Sequence, residues 1–452
     1  MSLALPGLML LALGMALLTG LPVAVVLIGV SFAFAELGVM TGAVHAEQMG
    51  AIFHRVYGTL SDRDEILYAA MPMLLFISAI LHETGLAVNL LTGFGRLFGR
   101  VRGGPAVATL FVGAIQAPAA GMIGASTGAL ALYALPTLQR RGYGSADAAG
   151  LVAAAGSLGA VAPPGIMLFF IADAIGVQVP ALFLAMLGPL ALLLALYLVF
   201  AIFRGSRTHV ESTSASDAAD AVVAAALMVG LVALVALGLA TLSEAAALGA
   251  AGAVLAGAVR GRLTWRVLDA AIRQTALLSA MVFLIFVGAS VFSLVFRMFG
   301  GAEMVSAAAG ALGTRGSATL AAALAFVFVL GFFLDWLEIV VIALPVLAAT
   351  LAAAGVGASL GNAQLAGCWI GALFAVALQT SFLTPPFGYA LFLVHGATRG
   401  AIPMAEVWLG AMPYIGLQLL VLLAVAAWPE LATWLPAQVL DLSIPKGPKF
   451  SD

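Results

Sequence analysis

Pro385 and Pro386 stand side by side inside an apolar segment, from about Gln364 to His395, that is long enough to cross a bilayer. A helix cannot run through them, because neither offers an N–H and each ring collides with the preceding turn. In hydrocarbon every freed carbonyl needs a partner, so irregular backbone survives only where it is buried in protein or lines a polar cavity. Hydroxyls accompany the break, in Gln379-Thr380-Ser381-Phe382-Leu383-Thr384-Pro385-Pro386-Phe387-Gly388. A broken membrane helix with polar groups at the break is a standard way to build an ion or substrate site at mid-membrane. A second copy lies far upstream, Gly156-Ser157-Leu158-Gly159-Ala160-Val161-Ala162-Pro163-Pro164-Gly165. Two such breaks in similar settings point to a transport protein built from repeats.

Composition narrows the solvent to a lipid bilayer. Of 452 residues 63% are hydrophobic and 8% charged, which excludes a soluble protein of this size. The net charge of −2 says nothing about nucleic acid, and no basic block exists to bind one. A single cysteine, Cys368, rules out an internal disulfide and any multi-cysteine metal site. Five scattered histidines match no metal spacing, and no Walker phosphate loop is present for ATP hydrolysis. No paired-acid or Ser-His-Asp set falls within the apolar segments, so an enzyme is not expected. Met1 to Pro6 has no positive n-region and reads as the start of an uncleaved first span.

Apolar runs predict spans near Leu3–Thr19, Pro22–Met40 and Ile66–His82, then an interfacial helix over Gly85–Gly99. Ala106–Leu138 is broken at Pro118-Ala119-Ala120-Gly121 and again at Gly124-Ala125-Ser126-Thr127-Gly128, which predicts a re-entrant hairpin. The Pro163-Pro164 helix follows, with spans near Ala181–Phe203, Ala218–Thr241 and Glu244–Val259; Glu211–Asp220 reads as a polar linker between halves. The second half repeats the order. A span over Thr275–Phe296 leads to an interfacial helix over Gly300–Gly313, and a hairpin over Ser317–Thr350 breaks around Asp335-Trp336-Leu337-Glu338. The Pro385-Pro386 helix and a last span over Val407–Trp428 complete it. The fold expected is an all-α polytopic membrane protein of inverted repeats, each with one re-entrant hairpin and one Pro-Pro-broken helix. Its parts are scaffold spans (1–84), an arm (85–104), the first hairpin and broken helix (105–176) and scaffold spans with a linker at 205–220 (177–299). A second arm (300–316), the second hairpin and broken helix (317–395), and the last span and tail (396–452) follow.

Lys and Arg accumulate on cytoplasmic loops. Arg96, Arg100 and Arg102 precede the first hairpin and Arg140 and Arg141 follow it, so both its ends are expected inside. Counting onward places Arg204, Arg207, Arg260, Arg262 and Arg266 inside too, while the second hairpin, flanked only by Arg315, enters from outside. Opposite entry is what inverted repeats require, and both termini then fall outside.

Among polar residues, Asp335 is an ionisable group at membrane depth, and cation binding and the capping of a half-helix weigh equally for it. Glu338, one turn on, faces either the site or a vestibule. Ser157, Ser381 and Thr384 sit at or beside the breaks, and their hydroxyls together with freed carbonyls are hard donors suited to Na⁺. The competing reading for each is a bond back to its own helix. Ser126 and Thr127 share that argument at the first hairpin, and Gln379 either bonds substrate or staples two helices. Asp173 is expected solvated or paired at its outer helix end rather than a ligand, Glu36 and Glu244 at the interfaces, and Arg297 and Arg399 as interface anchors rather than contacts for an anionic substrate.

The order Arg102-Gly103-Gly104, Gly113-Ala114-Ile115, Ala134-Leu135-Pro136 and Arg140-Arg141-Gly142-Tyr143 resembles the large membrane subunit of tripartite ATP-independent periplasmic (TRAP) transporters, the DctM type. Ala153-Ala154-Ala155-Gly156-Ser157-Leu158-Gly159 with Pro163-Pro164, Gly331 with Asp335, and Leu378–Gly388 continue the match over nearly the whole chain. The Asp335-Trp336 and Leu378–Gly388 variants are similar to a branch labelled mannitol or chloroaromatic compound transport. The resemblance implies a Na⁺-driven importer of small organic anions in a bacterial inner membrane, working as an elevator. It also implies a separate periplasmic substrate-binding protein and a small four-helix membrane subunit of DctQ type. Family sodium sites carried over would involve Gly113 to Thr127 with Ser157 to Pro163, and Gly331 to Asp335 with Ser381, Thr384 and Pro385. Ser126, Thr127, Gln379, Thr380 and Ser381 would face substrate. Many relatives have Ser or Thr where this chain reads Pro118-Ala119-Ala120, so backbone carbonyls would serve there. A stand-alone Na⁺/dicarboxylate symporter of related fold, and a passive channel or membrane scaffold, are the competing expectations.

Overall fold

In an apolar solvent only a helix satisfies its own backbone within one segment, and the apolar runs accordingly fold as helices. The structure is a computed structural model, and it describes residues 4–17, 19, 21–42, 50–61, 66–98, 102–115, 123–205, 215–301, 303–304, 307, 316–332, 334, 336–385 and 388–440. The helices are α1 (Ala4–Leu17), α2 (Val23–Met40), α3 (Gly50–Ser61), α4 (Ile66–Glu83), α5 (Leu86–Leu97), α6 (Gly104–Ile115) and α7 (Ile123–Arg140). They continue with α8 (Ser145–Val161), α9 (Ile166–Ile175), α10 (Val179–Arg204), α11 (Ala215–Ala236), α12 (Leu242–Val259) and α13 (Trp265–Met298). The last are α14 (Gly316–Leu330), α15 (Trp336–Ala353, with a π turn at Ile339–Ala343), α16 (Ala363–Ser381), α17 (Tyr389–Ala397), α18 (Met404–Ala427) and α19 (Glu430–Val439). Among the described residues eight helices are long and apolar enough to cross a membrane, and nine if α8 and α9, bent by 47°, form one span.

The helices pack in two groups. One holds α1 on α2, α2, α3 and α4 on α13, α4 on α12, and α11 on both α12 and α5. In the other, α6, α7, α17 and α18 pack on α8, while α9, α10, α14 and α18 pack on α16. Contacts between the groups include α5 on α6, α10 on α11 and α13 on α15.

Side-chain contacts fix which helix ends lie together. At one end Arg204, closing α10, pairs with Asp147 of α8 at 3.3 Å, and Arg102, preceding α6, donates to Gly205 O at 2.9 Å. Gly150 of α8 abuts Gly410 of α18 one turn or so from their starts, also at this end. At the opposite end Gln364 of α16 accepts from the Gln178 amide at 3.1 Å, and Trp369 Nε1 donates to Val425 O of α18 at 2.7 Å. A cavity of about 680 Å³ there is lined by Ala174–Val177, by Ala348, Ala349 and Ala352 of α15 and by Asn362–Gln364. The open ends of α6 and α7 are therefore at the first end, and those of α14 and α15 at the second. The two hairpins enter from opposite sides.

Several expectations need correction. α7 runs unbroken through Gly124–Gly128, since small residues let lipid-buried helices approach one another without ending them. The second hairpin breaks before Trp336 rather than across Trp336-Leu337-Glu338, which are helical. α13 begins at Trp265 rather than near Thr275, and α3 and α19 are additional short helices. Asp220 is no linker residue: it lies in α11, fully buried. The break at 118–120 and most of the segment Gly300–Gly313 lie outside the described residues. Glu244 completes a capping box, accepting from the Thr241 amide at 2.8 Å, which accounts for an acid at the start of α12.

Candidate functional site

The first break follows directly from its prolines. In a continuing helix the carbonyls of Gly159 and Ala160 would accept from residues 163 and 164, and these are Pro163 and Pro164, which have no N–H. The backbone turns over Ala162–Gly165 and restarts as α9. Three carbonyls converge there: a methyl placed on Gly165 would lie 2.9 Å from Ala162 O, 3.0 Å from Ala160 O and 3.2 Å from Gly159 O. Such a cradle offers hard oxygen donors of the kind small cations take. The carbonyl end of α8 and the amide end of α9 both face the break, so partial charges of each sign are on hand.

The second break is only partly open. Phe382 O accepts from Ala390 N at 3.2 Å and Ser381 O from Thr384 N at 3.1 Å, so the chain mends the deficit that Pro385 and Pro386 create in these two carbonyls. Pro385 lies half-buried in this turn, while Pro386 and Phe387 lie outside the described residues.

The hydroxyls bond back to their own helices. Ser157 Oγ donates to Ala154 O at 2.8 Å, and Thr380 Oγ1, Ser381 Oγ and Thr384 Oγ1 donate to Val376 O, Leu378 O and Thr380 O, each at 2.7 Å. This is the local reading weighed for isolated hydroxyls. Its consequence is chemical: with the proton committed, each oxygen turns its lone pairs outward as an acceptor.

The two broken helices meet at one hydrogen bond. Gln379 Nε2 donates to Ser157 Oγ at 3.3 Å, across 222 residues of sequence, and both side chains are fully buried. The staple anticipated for Gln379 is thus present. Its Oε1, however, has no hydrogen-bond partner, and neither has Thr127 Oγ1, also at 0% exposure. Buried acceptors without partners cost about 1–3 kcal/mol each, so two of them in one region mark a place for a donor or a cation.

Each hairpin touches its neighbouring break through a glycine. Gly156, beside Ser157, is where Thr127 of α7 rests, and Gly331, at the end of α14, receives the Ser381 hydroxyl. A Cβ at either glycine would overlap the partner. Gly113 of α6 likewise abuts the carbonyl of Ala155. Of the residues singled out in the sequence, the structure therefore brings together Gly113, Thr127, Ser157 and Gln379, with Pro163 at the break six residues after Ser157. A second group joins Gly331, Ser381 and Thr384. Ser126 lies in α7, one residue before Thr127. Asp335 lies outside the described residues. Glu338 lines an apolar cavity of about 300 Å³ with Trp336, Leu337, the start of α2 (Pro22, Val23, Ala24) and the middle of α13. Asp173 is exposed. Among the described residues no cluster of His, Cys, Asp and Glu that could hold a metal forms. Gly159, Ala160 and Ala162 fall inside the range Ser157 to Pro163 expected from the sequence but are not singled out there; the signal for two of them is proline four residues on.

Fold and site together define an all-helical multi-pass membrane protein whose two oppositely entering hairpins and two broken helices enclose a buried polar centre. The chain belongs to the family of the tripartite ATP-independent periplasmic transporter DctM component, whose profile matches residues 8–431. A putative TRAP transporter large permease protein of Haemophilus influenzae is 24% identical over 380 residues, covering 82% of this chain and 87% of the relative. The ectoine/5-hydroxyectoine TRAP transporter large permease protein UehC of Ruegeria pomeroyi is 23% identical over 381 residues, 81% of this chain and 85% of its own. The C4-dicarboxylate TRAP transporter large permease protein DctM of Pseudomonas aeruginosa is 34% identical over 134 residues, 30% of this chain and 31% of its own. The crystal structure of the Alcanivorax borkumensis YdaH transporter shares the fold, with a TM-score of 0.61, 14% identity, and 85% and 89% of the two chains covered. These relatives are transporter permeases, and this chain is a transport subunit rather than an enzyme.

Proposed function

We propose that this TRAP large permease subunit couples the entry of Na⁺ to the import of a small organic anion. A periplasmic binding protein delivers the anion, and a small four-helix membrane subunit completes the assembly. The observation that carries the reading is the polar centre: the carbonyl cradle of Gly159, Ala160 and Ala162 beside the Ser157–Gln379 bond, with Thr127 Oγ1 and Gln379 Oε1 unpartnered. Oxygen donors without a fixed cation suit a weakly held, exchangeable ion. The Thr127 hydroxyl and the Gln379 amide then donate to the carboxylate next to it, while Thr380 and Ser381, their protons committed to their own helix, turn oxygen lone pairs to the cation. The second cation position is assigned to the place where Gly331 meets the Ser381 hydroxyl, with Thr384 and Pro385 in the same turn and Asp335 as its acid.

In the proposed elevator motion the body carrying α6–α10 and α14–α19 slides against α1–α4 and α11–α13. In this reading α10, assigned above to the scaffold spans, travels with the moving body, and its packing on α16 and α18 supports that grouping. The end bearing Arg102, Arg140, Arg204, Arg260 and Arg262 faces the cytoplasm of a bacterial inner membrane, and both termini lie outside. The test is reconstitution of the chain with its two partners in liposomes, followed by carboxylate uptake under an inward Na⁺ gradient. Concentrative uptake that vanishes when K⁺ replaces Na⁺ is expected. Downhill flux indifferent to Na⁺ would leave a passive channel, and full uptake without the binding protein a stand-alone symporter.

A further inference from the structure

The helix α5 connects the two packed groups, and each of its ends is held by chemistry the polar centre does not use. Near its start Asn89 Nδ2 donates to Asp220 Oδ2 of α11 at 2.6 Å. Asp220 is fully buried and is paired with Arg260 Nη1 at 2.9 Å and Arg262 Nη2 at 3.0 Å, both on the turn after α12. Near its other end Phe94 and Phe98 stack on Phe111 of α6, with centroids 6.0 and 5.0 Å apart and planes 19° and 14° from parallel.

Apolar packing holds α5 along α11, but between lipid-buried helices it gains little from the hydrophobic effect and sets the depth of neither. A buried carboxylate is different. It tolerates burial only with its cations and donors in place, so a slip of α5 or α11 by one turn would leave charge unmet. In some proteins buried polar or ionic groups set register while adding little stability.

We propose that Asp220 is a positioning residue that locks the register of α5 on α11 and α12, so that the first hairpin, gripped at Phe111, moves against an arm of fixed depth. The inference rests on the sliding motion proposed above, and its test has one arm that does not.

In the reconstituted three-component transporter, Asn89→Ala and Asp220→Asn are expected to lower turnover between about ten- and a hundred-fold, the size of a lost hydrogen bond to a charged group. Half-saturating Na⁺ and substrate should stay unchanged, because no member of the cluster touches the polar centre. Asn89→Ala removes one neutral donor and guards against a misfolded Asp220 variant. Combining it with Phe111→Ala should cost no more than the worse single change, since either releases the same arm. Independently of transport, hydrogen exchange should rise across Leu86–Leu97 in Asn89→Ala and Asp220→Asn and stay level in α16. Unchanged exchange in α5 overturns the lock even if uptake proves Na⁺-driven. Raised exchange with normal turnover, shifted half-saturation, or additive losses each overturn the positioning role, whereas raised exchange alone upholds the lock should the sliding motion fail.

Discussion

Ser157 spends its proton on Ala154 O and accepts from Gln379 Nε2, so one hydroxyl joins two half-membrane helices. Ser157→Ala leaves the Gln379 amide buried with neither of its polar atoms bonded, at a cost of about 1–3 kcal/mol. Gln379→Ala removes the amide but leaves a void. Each should cut Na⁺-driven uptake at least about tenfold, and the double variant should lose less than the sum, as coupled pairs do. Uptake rates with a thermal melt of each variant check this, and strictly additive losses would show that the bond is incidental. Gly156→Ala is a sharper change at the same place. Its methyl would lie 2.7 Å from the Thr127 Cα, so trimming the threonine side chain cannot relieve it and α7 must move from α8. Overpacking of this sort costs about 1–3 kcal/mol. Membrane insertion with transport lost, and no rescue by Thr127→Ala, is the expected result; normal transport in Gly156→Ala would show that the hairpin does not seal on the break.

Proline without an N–H is the cause of the first break, so giving the N–H back should undo it. In Pro163→Ala/Pro164→Ala the carbonyls of Gly159 and Ala160 regain helical donors, α8 can run into α9, and the cradle at Gly165 loses two of its three oxygens. The half-saturating Na⁺ concentration should rise at least about tenfold, equivalent to about 1.4 kcal/mol, while expression holds. A sodium titration of uptake reads this, and an unmoved midpoint would place the cation elsewhere. The same local logic explains what could be read in advance. Apolar windows and Pro-Pro pairs announce themselves in one dimension, so the spans, both breaks and the order of the repeats were readable. α19 escaped because it is short and has a polar face. Gly124–Gly128 misled because glycine and hydroxyls serve helix approach in lipid as well as helix breaking, and only the neighbour Gly156 decides which. Asp220 misled for the opposite reason: an acid closing a run of serines, alanines and other acids looks like a linker until Arg260, Arg262 and Asn89 arrive from elsewhere in the chain. The bond between Ser157 and Gln379 is likewise a product of tertiary structure, and the sequence offered its two ends without joining them.

Across the whole molecule the question is whether two bodies move past each other. The cavity of about 300 Å³ bounded by Val23 of α2, Met281 and Ile285 of α13, and Trp336 and Leu337 of α15 lies between them, with almost wholly apolar walls. Close-packed interiors leave few voids of this size, and an interface that must come apart cannot interlock as tightly as a core. By contrast the seam between α8 and α18, where Gly150 abuts Gly410, is backbone on backbone and belongs within one body. Cysteines at Val23 and Leu337, in a Cys368→Ser background and bridged by a short bifunctional maleimide, should arrest uptake nearly completely while leaving Na⁺ binding intact. A control bridge within the body proposed to move, between cysteines at Gln178 and Gln364, whose groups already bond at 3.1 Å, should leave most of the activity. Cleavable linkers make the readout reversible, so arrest that reverses on cleavage separates blocked motion from damage. If the bridge across α2 and α15 forms in full and transport continues at its usual rate, the two groups of helices move as one and substrate must cross by some route other than sliding.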